Sequence, residues 1–320
     1  MRAWRLHTLG DPADVLRLED DAPDPEPGPG EVLVEVDAAA LNYADVLVCQ
    51  GKYQDRPPLP LTPGFEMAGR VVGTGQRVAA MCEFPHGGLA QRTVLPAAAA
   101  LPIPDSLSAT AAAAMVVTYL TAHAALHRRA GLRPGETVLV HAGAGGVGSA
   151  AIQVAKAAGA TVIATAGGPA KVEVCEKLGA DLAIDYRAGD FVAAVLEATG
   201  GRGADVIVDP VGGAVFDRSR KVVAFEGRLV VAGFAGGPPA AAPTNHALVK
   251  NYSIVGVHWG LYRRRAPHVV GETHAALMDL HRAGAIDPLV SEILPMDQVP
   301  DGLRRIYDRG TVGKLVVTVP

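Results

Sequence analysis

At 320 residues the chain is long enough for one large domain or two ordinary ones, each with a sizeable apolar core. Hydrophobic residues make up 49% and charged residues 19% of the sequence, and the net charge of −4 without a basic stripe argues against nucleic acid as the main partner. The three cysteines are widely spaced, so they predict neither a disulfide framework nor a thiolate zinc site. The first residues lack an apolar signal core, and we therefore expect a cytoplasmic protein.

The first hundred residues are rich in turns and short strands. A loop rich in Pro and Gly covers Asp20–Gly30, and the alternation at Glu31–Val36 predicts a strand. A short helix is predicted at Leu41–Val48, and a second Pro-rich loop covers Pro57–Gly64. These features predict an irregular, mostly β domain.

The segment Ser106–His127 contains no Asp, Glu, Lys or Arg and is long enough to span a bilayer. It is dominated by Ala and Thr and carries two His, so its apolar content per residue is low. This composition favours a buried helix that joins two domains, and we expect no membrane partner.

The stretch Thr137–Lys156 reads as a β-branched strand, a glycine loop and an Ala-rich helix. Gly143, Gly145 and Gly148 have the G-x-G-x-x-G spacing, which allows a tight turn, close approach of a pyrophosphate and close packing of helix on strand. The spacing therefore predicts dinucleotide binding at the helix N-terminus. The alternative is a βα turn rich in Ala and Gly that binds nothing.

From Thr137 onward, predicted strands alternate with helical stretches, which predicts a doubly wound parallel sheet of the Rossmann type. After Trp259 the pattern reverts, and we expect an apolar last strand at Lys314–Val319 to return to the first domain. We therefore predict a mostly β domain at residues 1–115, completed by residues 265–320, around a nucleotide-binding domain at residues 116–264. The six predicted strands are Thr137–His141, Thr161–Thr165, Leu182–Ile184, Val206–Asp209, Leu229–Ala232 and Ser253–Val257.

The residues after the second predicted strand bear on the choice of nicotinamide cofactor. In an NAD site, a carboxylate at the end of this strand binds the ribose 2′-hydroxyl. Here Ser149–Val172 contains no Asp or Glu, and the next charged residue after the strand is Lys171. A missing carboxylate and a nearby cation favour the 2′-phosphate of NADPH. The alternative is that Lys171 is only a solvated residue in the first turn of a helix.

The glycine loop with its flanks resembles the signature of the zeta-crystallin-like NADPH:quinone oxidoreductases, a zinc-independent group of the medium-chain dehydrogenase/reductase superfamily. The resemblance covers essentially the whole chain. It implies a mostly β, GroES-like substrate domain, a Rossmann domain, NADPH as cofactor and a homodimer. The matching residues are Gly135-Glu136, Leu139, Ala142–Gly148, Gln153 and Lys156 around the loop, and elsewhere Ala40–Asp45, Pro63–Glu66, Thr121-Ala122, Asp209–Gly212 and Gly313-Lys314.

Carried over by position, the resemblance implies three groups of cofactor-binding residues and one substrate residue. Tyr53 would hydrogen-bond a quinone oxygen, although packing within its loop is an equal alternative. The nicotinamide end would meet Asn42, Thr121, Gly233, Phe234, Ala235, His258, Trp259 and Gly260; the pyrophosphate and adenosine would meet Gly145, Gly146, Val147 and Val211; and the 2′-phosphate would meet Gly167, Lys171, Tyr186 and Arg309.

No metal site is expected. Zinc-dependent relatives carry Cys and His where this chain has Asn42 and Phe65, and neither residue replaces thiolate or imidazole as a zinc ligand. His123 and His127 have helical i,i+4 spacing, which can chelate a metal, but no third ligand is evident.

Without zinc, no Lewis acid activates an alcohol, so the sequence favours reduction of an acceptor that takes hydride readily. A quinone is the first candidate, with Asn42 and Tyr53 as the catalytic residues. Reduction of an enone, enal or enoyl thioester is the main alternative, and an NADPH-binding protein without turnover is an alternative of another class.

The run Asn251–Trp259 is apolar and β-rich and is predicted as the sixth strand, at the edge of the sheet. An uncovered edge strand would template aggregation. Pairing of this strand with its own copy across a twofold axis would hide both edges, and we therefore expect a homodimer through residues 251–259.

Overall fold

The computed structural model describes residues 1–320, which form two compact units. The first comprises Met1–Val117 with Pro288–Pro320, and the second comprises Thr118–Asp287. The predicted return to the first domain at residue 265 is therefore too early. The cause is the anchoring of Asp287 in the second unit, where its carbonyl accepts hydrogen bonds from Tyr119 Oη at 3.0 Å and Gln153 Nε2 at 2.9 Å.

The first unit is built on a seven-stranded sheet and a separate two-stranded antiparallel ribbon. The strands are β1 Ala3–Leu6, β2 Leu16–Glu19, β3 Glu31–Ala40, β4 Glu66–Val71, β5 Arg77–Met81, β6 Arg92–Pro96, β7 Leu101–Pro102, β14 Val290–Pro295 and β15 Lys314–Thr318, and the helices are α1 Pro12–Val15, α2 Tyr43–Cys49, α3 Ala109–Met115 and α12 Val299–Tyr307. In the large sheet β6 pairs with β3 beside the path β14-β15-β3-β4-β5-β7, and the ribbon joins β1 to β2.

The long central strand β3 connects the two ends of the first unit. Alternate residues of β3, such as Val34 and Val36, are buried in an apolar core that also contains Val317 of β15. Because β15 pairs antiparallel with the end of β3, the last strand of the chain lies beside the residues that precede α2. The sheet thereby brings residues near positions 40 and 314 together.

The second unit confirms the predicted doubly wound sheet. Its six strands are β8 Thr137–Val140, β9 Thr161–Ala166, β10 Leu182–Asp185, β11 Ala204–Asp209, β12 Val223–Val231 and β13 Ser253–Gly256. They are all parallel and have the order β10-β9-β8-β11-β12-β13, which is the 3-2-1-4-5-6 order of the Rossmann fold. The helices are α4 Thr118–His123, α5 Gly146–Ala157, α6 Pro169–Lys177, α7 Phe191–Ala198, α8 Gly213–Ser219, α9 Thr244–Lys250, α10 Trp259–Arg265 and α11 Pro267–Arg282.

The apolar segment with no charged residues is helical and largely buried. It forms α3, α4 and the first part of a π-helical turn at Ala124–Arg129, and the boundary between the two units at Val117 falls within it. Residues 109–129 have the length and composition of a membrane span, but 72% of the apolar stretch is buried inside the protein. The prediction of a buried helix is confirmed.

A buried histidine at the end of β8 is held in its neutral form. Ser219 Oγ donates to the Val215 carbonyl at 2.7 Å, so it accepts from His141 Nε2, also at 2.7 Å. His141 Nδ1 then accepts from Thr165 Oγ1 at 2.9 Å. Burial, and secondarily the positive charge of Arg218, lowers the pKa of His141 to about 3.

We expect His141 to make the protein less stable in mild acid. Between pH of about 6.5 and about 3 the unfolded chain binds a proton at this residue and the folded protein does not, so the free energy of unfolding falls as the pH is lowered through this window. The maximum slope is about 1.4 kcal/mol per pH unit. Urea unfolding at several pH values should show a shallower dependence for His141→Asn than for the wild type. An unchanged slope would contradict the prediction, and substitution of the exposed His268 serves as the control.

Candidate cofactor-binding site

Most of the site residues predicted in the second unit follow the carboxyl ends of its parallel strands. Because all six strands run in the same direction, these residues lie along one edge of the sheet. The chain passes from β8 to β9 and from β11 to β12 in opposite directions along the sheet, and ligands of such sheets bind at this switch point. Gly145–Val147 follow β8, Gly167 follows β9, Tyr186 follows β10, Val211 follows β11, Gly233–Ala235 follow β12 and His258–Gly260 follow β13.

The glycine loop after β8 has the geometry that its spacing predicts. A Cβ added to Gly148 would lie 2.1 Å from the Ala142 carbonyl oxygen, so only glycine allows this close packing of helix on loop. A Cβ added to Gly145 would meet only the Ala142 oxygen, at 3.2 Å, and the space on its other side is open. Gly145 is the N-cap of α5 and has no capping side chain, so the first amides of the helix, at Gly146 and Val147, can bind an anion.

A second anion-binding environment lies where β9 and β10 end. A Cβ added to Gly167 would lie 2.6 Å from Tyr186 Oη and 3.0 Å from Arg187 Nε, so phenol and guanidinium both approach the glycine backbone. Lys171 lies in the first turn of α6, and its pKa is lowered by burial and then by the positive charge of Arg187. The structure therefore brings three of the four predicted 2′-phosphate residues together.

Arg187 also belongs to this environment, although it is not among the residues predicted from the sequence. A signal was available, because Arg187 directly follows Tyr186 at the end of the third strand. The structure also shows a carboxylate nearby: Asp185 Oδ1 accepts from the backbone amides of Gly168 and Arg187, both at 2.9 Å. These bonds lower the pKa of Asp185 and hold the two loops together.

The loops after β11 and β12 are joined to each other by backbone hydrogen bonds. Asp209 Oδ1 accepts from the amides of Val211 at 2.8 Å and Gly212 at 2.9 Å. The Ala235 amide donates to the Pro210 carbonyl at 3.0 Å, which fixes the Gly233–Ala235 loop beside Val211. These two bonds order the start of the loop, and burial raises the pKa of the Asp209 carboxyl.

The remaining predicted residues of the second unit lie at the starts of helices or within them. His258 is the N-cap of α10, and Trp259, the first residue of the helix, is buried against Tyr262. Gly260 follows in the same turn, and Thr121 is buried in α4. The contacts of His258, Trp259, Gly260 and Thr121 with the nicotinamide stay predictions.

The first unit contains a buried polar cluster around Asn42, which precedes α2. Asn42 Nδ2 donates to Glu66 Oε1 at 2.8 Å and to the Ala40 carbonyl at 3.1 Å. Lys314 Nζ donates to Asn42 Oδ1 at 2.7 Å and lies 2.8 Å from Glu66 Oε1. Asp45 caps the helix by accepting from the Asn42 amide at 2.8 Å, and burial raises the pKa of Asp45 to about 7.

The structure places Tyr53 and Arg309 in the first unit as well. The Tyr53 ring packs edge-on against Phe65, with 5.0 Å between the ring centroids, and Phe65 precedes Glu66 of the polar cluster. Arg309 follows α12 and has a φ of 57°. It lies in the first unit, whereas Lys171 and Tyr186 lie in the second. Its contact with the 2′-phosphate stays a prediction.

The donor set around Asn42 does not fit zinc. Asn42 and Phe65 supply neither thiolate nor imidazole, and the Lys314 ammonium already binds the oxygens of Asn42 and Glu66. His123 and His127 face each other with ring centroids 4.4 Å apart, and burial lowers the pKa of both. No cluster of three or more His, Cys, Asp or Glu residues is arranged to hold a metal ion.

We therefore expect the reductase activity proposed below to survive removal of metals. After dialysis against a strong chelator, elemental analysis should find no stoichiometric zinc and the rate should be unchanged. Loss of activity that is restored by one equivalent of zinc would contradict the assignment.

Family models of known proteins match a part of each unit. Residues 28–105 match the family model of the alcohol dehydrogenase GroES-like domain, and residues 146–274 match that of the zinc-binding dehydrogenases. The chain is 37% identical to quinone oxidoreductase-like protein 2 of Bos taurus over 99% of this chain and 93% of the relative.

Solved structures give the same result. The quinone oxidoreductase of Thermus thermophilus, which was also solved in complex with NADPH, is 38% identical and has a TM-score of 0.88 over 100% of both chains. The Escherichia coli quinone oxidoreductase complexed with NADPH is 28% identical and has a TM-score of 0.91, also over 100% of both chains. The relatives match the chain over nearly its whole length, and both units follow in the same order. The protein therefore belongs to the quinone oxidoreductase family of the medium-chain dehydrogenase/reductase superfamily.

Proposed function

We propose that this protein is an NADPH-dependent reductase of quinones. The observation that carries the proposal is the pairing of two anion-binding environments on one sheet edge, the α5 N-terminus and the group formed by Gly167, Lys171, Tyr186 and Arg187. The NADPH complexes of the Thermus thermophilus and Escherichia coli relatives support the same cofactor.

The residues present fit this cofactor. The open side of Gly145 and the free first turn of α5 suit a pyrophosphate, because backbone amides and the helix dipole both favour negative charge there. Lys171 and Arg187 suit a 2′-phosphate, whose charge would relieve the repulsion between the two cations. Asp185 Oδ1 already accepts from two backbone amides, so this carboxylate holds together the loops after β9 and β10.

When bound, NADPH supplies the hydride, and the protein then has to hold the acceptor and exclude competing reactions. A quinone is electron-poor, so positioning can supply most of the rate enhancement. Tyr53 has a phenol that could hydrogen-bond a quinone oxygen, and the packing of its ring on Phe65 would fix its direction. The second hydrogen of the hydroquinone comes as a proton, for which solvent is a sufficient source.

The test is a panel of acceptors offered together with NADPH. Quinones should be reduced at saturating NADPH with higher kcat/KM than enals, enones or enoyl thioesters. Turnover of the activated alkenes alone would replace quinone reduction with enone reduction as the function. Tight NADPH binding without turnover of any acceptor would show a binding protein instead. Tyr53→Phe is the variant to compare, and it should lower kcat/KM for quinones while the Kd of NADPH stays unchanged.

A further inference from the structure

The first unit contains a small cavity that no residue of the candidate cofactor site lines. Its volume is about 150 Å³, the size at which a protein cavity admits a molecule such as benzene. Residues of β1, β6 and three loops form its walls. Four prolines supply apolar surface, and the rest of the lining is mostly polar or charged. The prolines are Pro23, Pro25, Pro60 and Pro85.

Backbone pairing places three polar residues of this cavity beside one another. Leu6 and Leu61 exchange two backbone hydrogen bonds, at 2.8 and 3.1 Å, so Arg5 of β1 lies close to Thr62. Thr62 in turn pairs with His86 through an isolated β-bridge. Arg5 Nη1 donates to Thr62 Oγ1 at 3.1 Å. The guanidinium, the hydroxyl and the imidazole therefore meet at the same cavity.

Most hydrogen-bond donors of these three side chains are unused within the protein. The bond to Thr62 is the only side-chain hydrogen bond of Arg5, and no carboxylate lies within 4 Å of its guanidinium. The Thr62 hydroxyl accepts that bond, and its own hydrogen has no acceptor. The His86 ring makes neither a hydrogen bond nor an ion pair. Burial lowers the pKa of His86, and the neutral ring keeps one N–H donor.

Arg5 differs from the other arginine of the cavity in having no counter-ion. Arg92 lies between Asp24 and Glu35, at 3.5 Å from each carboxylate. Arg5 is instead directly opposite Arg17 in the β1–β2 ribbon, and the Arg17 guanidinium bonds only a backbone carbonyl. Like charges opposite each other destabilise a sheet, so an anion bound at Arg5 would relieve this repulsion.

We propose that this cavity binds a small organic monocarboxylate. Its carboxylate bonds Arg5, Thr62 and His86, and its hydrocarbon part packs on the prolines. A planar guanidinium matches the geometry of a carboxylate. One cation without a counter-ion suits a single negative charge, and Asp24 on the same cavity repels a dianion such as phosphate. The volume limits the hydrocarbon part to a few carbon atoms.

Isothermal titration calorimetry with butyrate and butyramide tests the proposal. The two molecules have nearly the same shape, and only butyrate is charged. Butyrate should bind at one site per chain and about tenfold more tightly than butyramide, the value of a charge-assisted hydrogen bond. Inorganic phosphate and N-acetylvaline, which mimics the C-terminus of a peptide, should both bind more weakly than butyrate. Tighter binding of either would overturn the assignment to a small monocarboxylate.

Variants locate the binding site. Arg5→Met should weaken butyrate binding about tenfold and bring the ratio of butyrate to butyramide affinity to about one. Thr62→Val, which has the same shape without the hydroxyl, should weaken butyrate about fivefold. Thermal unfolding should show that both variants fold. Arg5→Lys keeps the charge without the planar group, so it should retain part of the preference, and it provides the test if Arg5→Met does not fold.

Arg70→Met is the matched control, because Arg70 is an exposed arginine of β4 that pairs with Asp37 at 3.7 Å and lies outside the cavity. This variant should bind butyrate as the wild type does. Saturating NADP⁺ should also leave the Kd of butyrate unchanged, and a weaker Kd would place the carboxylate in the second unit. No butyrate binding to the wild type, or unchanged affinity in the folded Arg5 and Thr62 variants, would overturn the proposal. These titrations need no electron acceptor, so they do not depend on the proposed reductase activity.

Discussion

Replacing both Lys171 and Arg187 with alanine should weaken NADPH binding about a hundredfold and leave NADH binding nearly unchanged. Each cation can make a charge-assisted bond to the 2′-phosphate that is worth about 1.5–3 kcal/mol, and about 1.4 kcal/mol corresponds to a tenfold change in Kd. Both side chains are partly or fully exposed to solvent, so the lower end of this range applies. NADH carries no 2′-phosphate and therefore loses none of these contacts.

Titration of NADPH and NADH fluorescence at fixed ionic strength measures the effect. Lys177→Ala is the matched control, because Lys177 is an exposed cation of the same helix that pairs with Glu173 at 2.6 Å. The control should leave both affinities unchanged. Equal losses for NADPH and NADH in the double variant would show that Lys171 and Arg187 support the fold of the loop and do not bind the phosphate. Raising the salt concentration should reduce the preference of the wild type for NADPH.

The second unit could be predicted from local sequence because its elements repeat a simple pattern. Strands such as Thr137–Val140 are short, β-branched and apolar and are buried at every residue, which is what a parallel sheet covered on both faces requires. Strand order then follows from short right-handed connections, so the site edge is predictable from strand ends alone. Arg187 was missed although it directly follows Tyr186, because only the pairing of β9 with β10 shows that its side chain lies close to Gly167, which follows β9.

The cluster around Asn42 shows what sequence reasoning could not give. The motif at Ala40–Asp45 marked Asn42, but its side chain is bonded to Lys314, 272 positions away. Their proximity follows from the antiparallel pairing of β15 with the end of β3, a long-range contact that no local periodicity encodes. The return to the first unit at Pro288 in place of residue 265 has a similar cause, because hydrogen bonds from Tyr119 and Gln153 decide it.

We expect the protein to form a homodimer through β13, and charge placed on this strand should dissociate it. The structure puts β13 at the edge of the parallel sheet, paired only with β12. Ile254 on this strand is 38% exposed, and nearby residues of β12 and α9 expose more apolar surface: Phe225 is 71% exposed, and Leu248 and Val249 are each 77% exposed. The backbone contact between Glu226 and Asn251 joins Phe225 to the start of β13. An uncovered edge with this much apolar surface favours a second copy as its cover.

Ile254→Lys should shift the protein from dimer to monomer. In a twofold contact one substitution places two lysines in the interface, and like charges brought together there cost several kcal/mol, so dissociation should be evident at micromolar concentration. Because Ile254 is partly exposed in the single chain, the variant should unfold at nearly the same temperature once it is monomeric. Light scattering coupled to gel filtration measures the mass, about 66 kDa for two chains of 33.0 kDa. Val72→Lys is the control, since Val72 is 46% exposed in a hairpin of the first unit and should leave the dimer intact. A monomeric wild type would overturn the assignment, and a dimeric Ile254→Lys variant would place the interface on another surface.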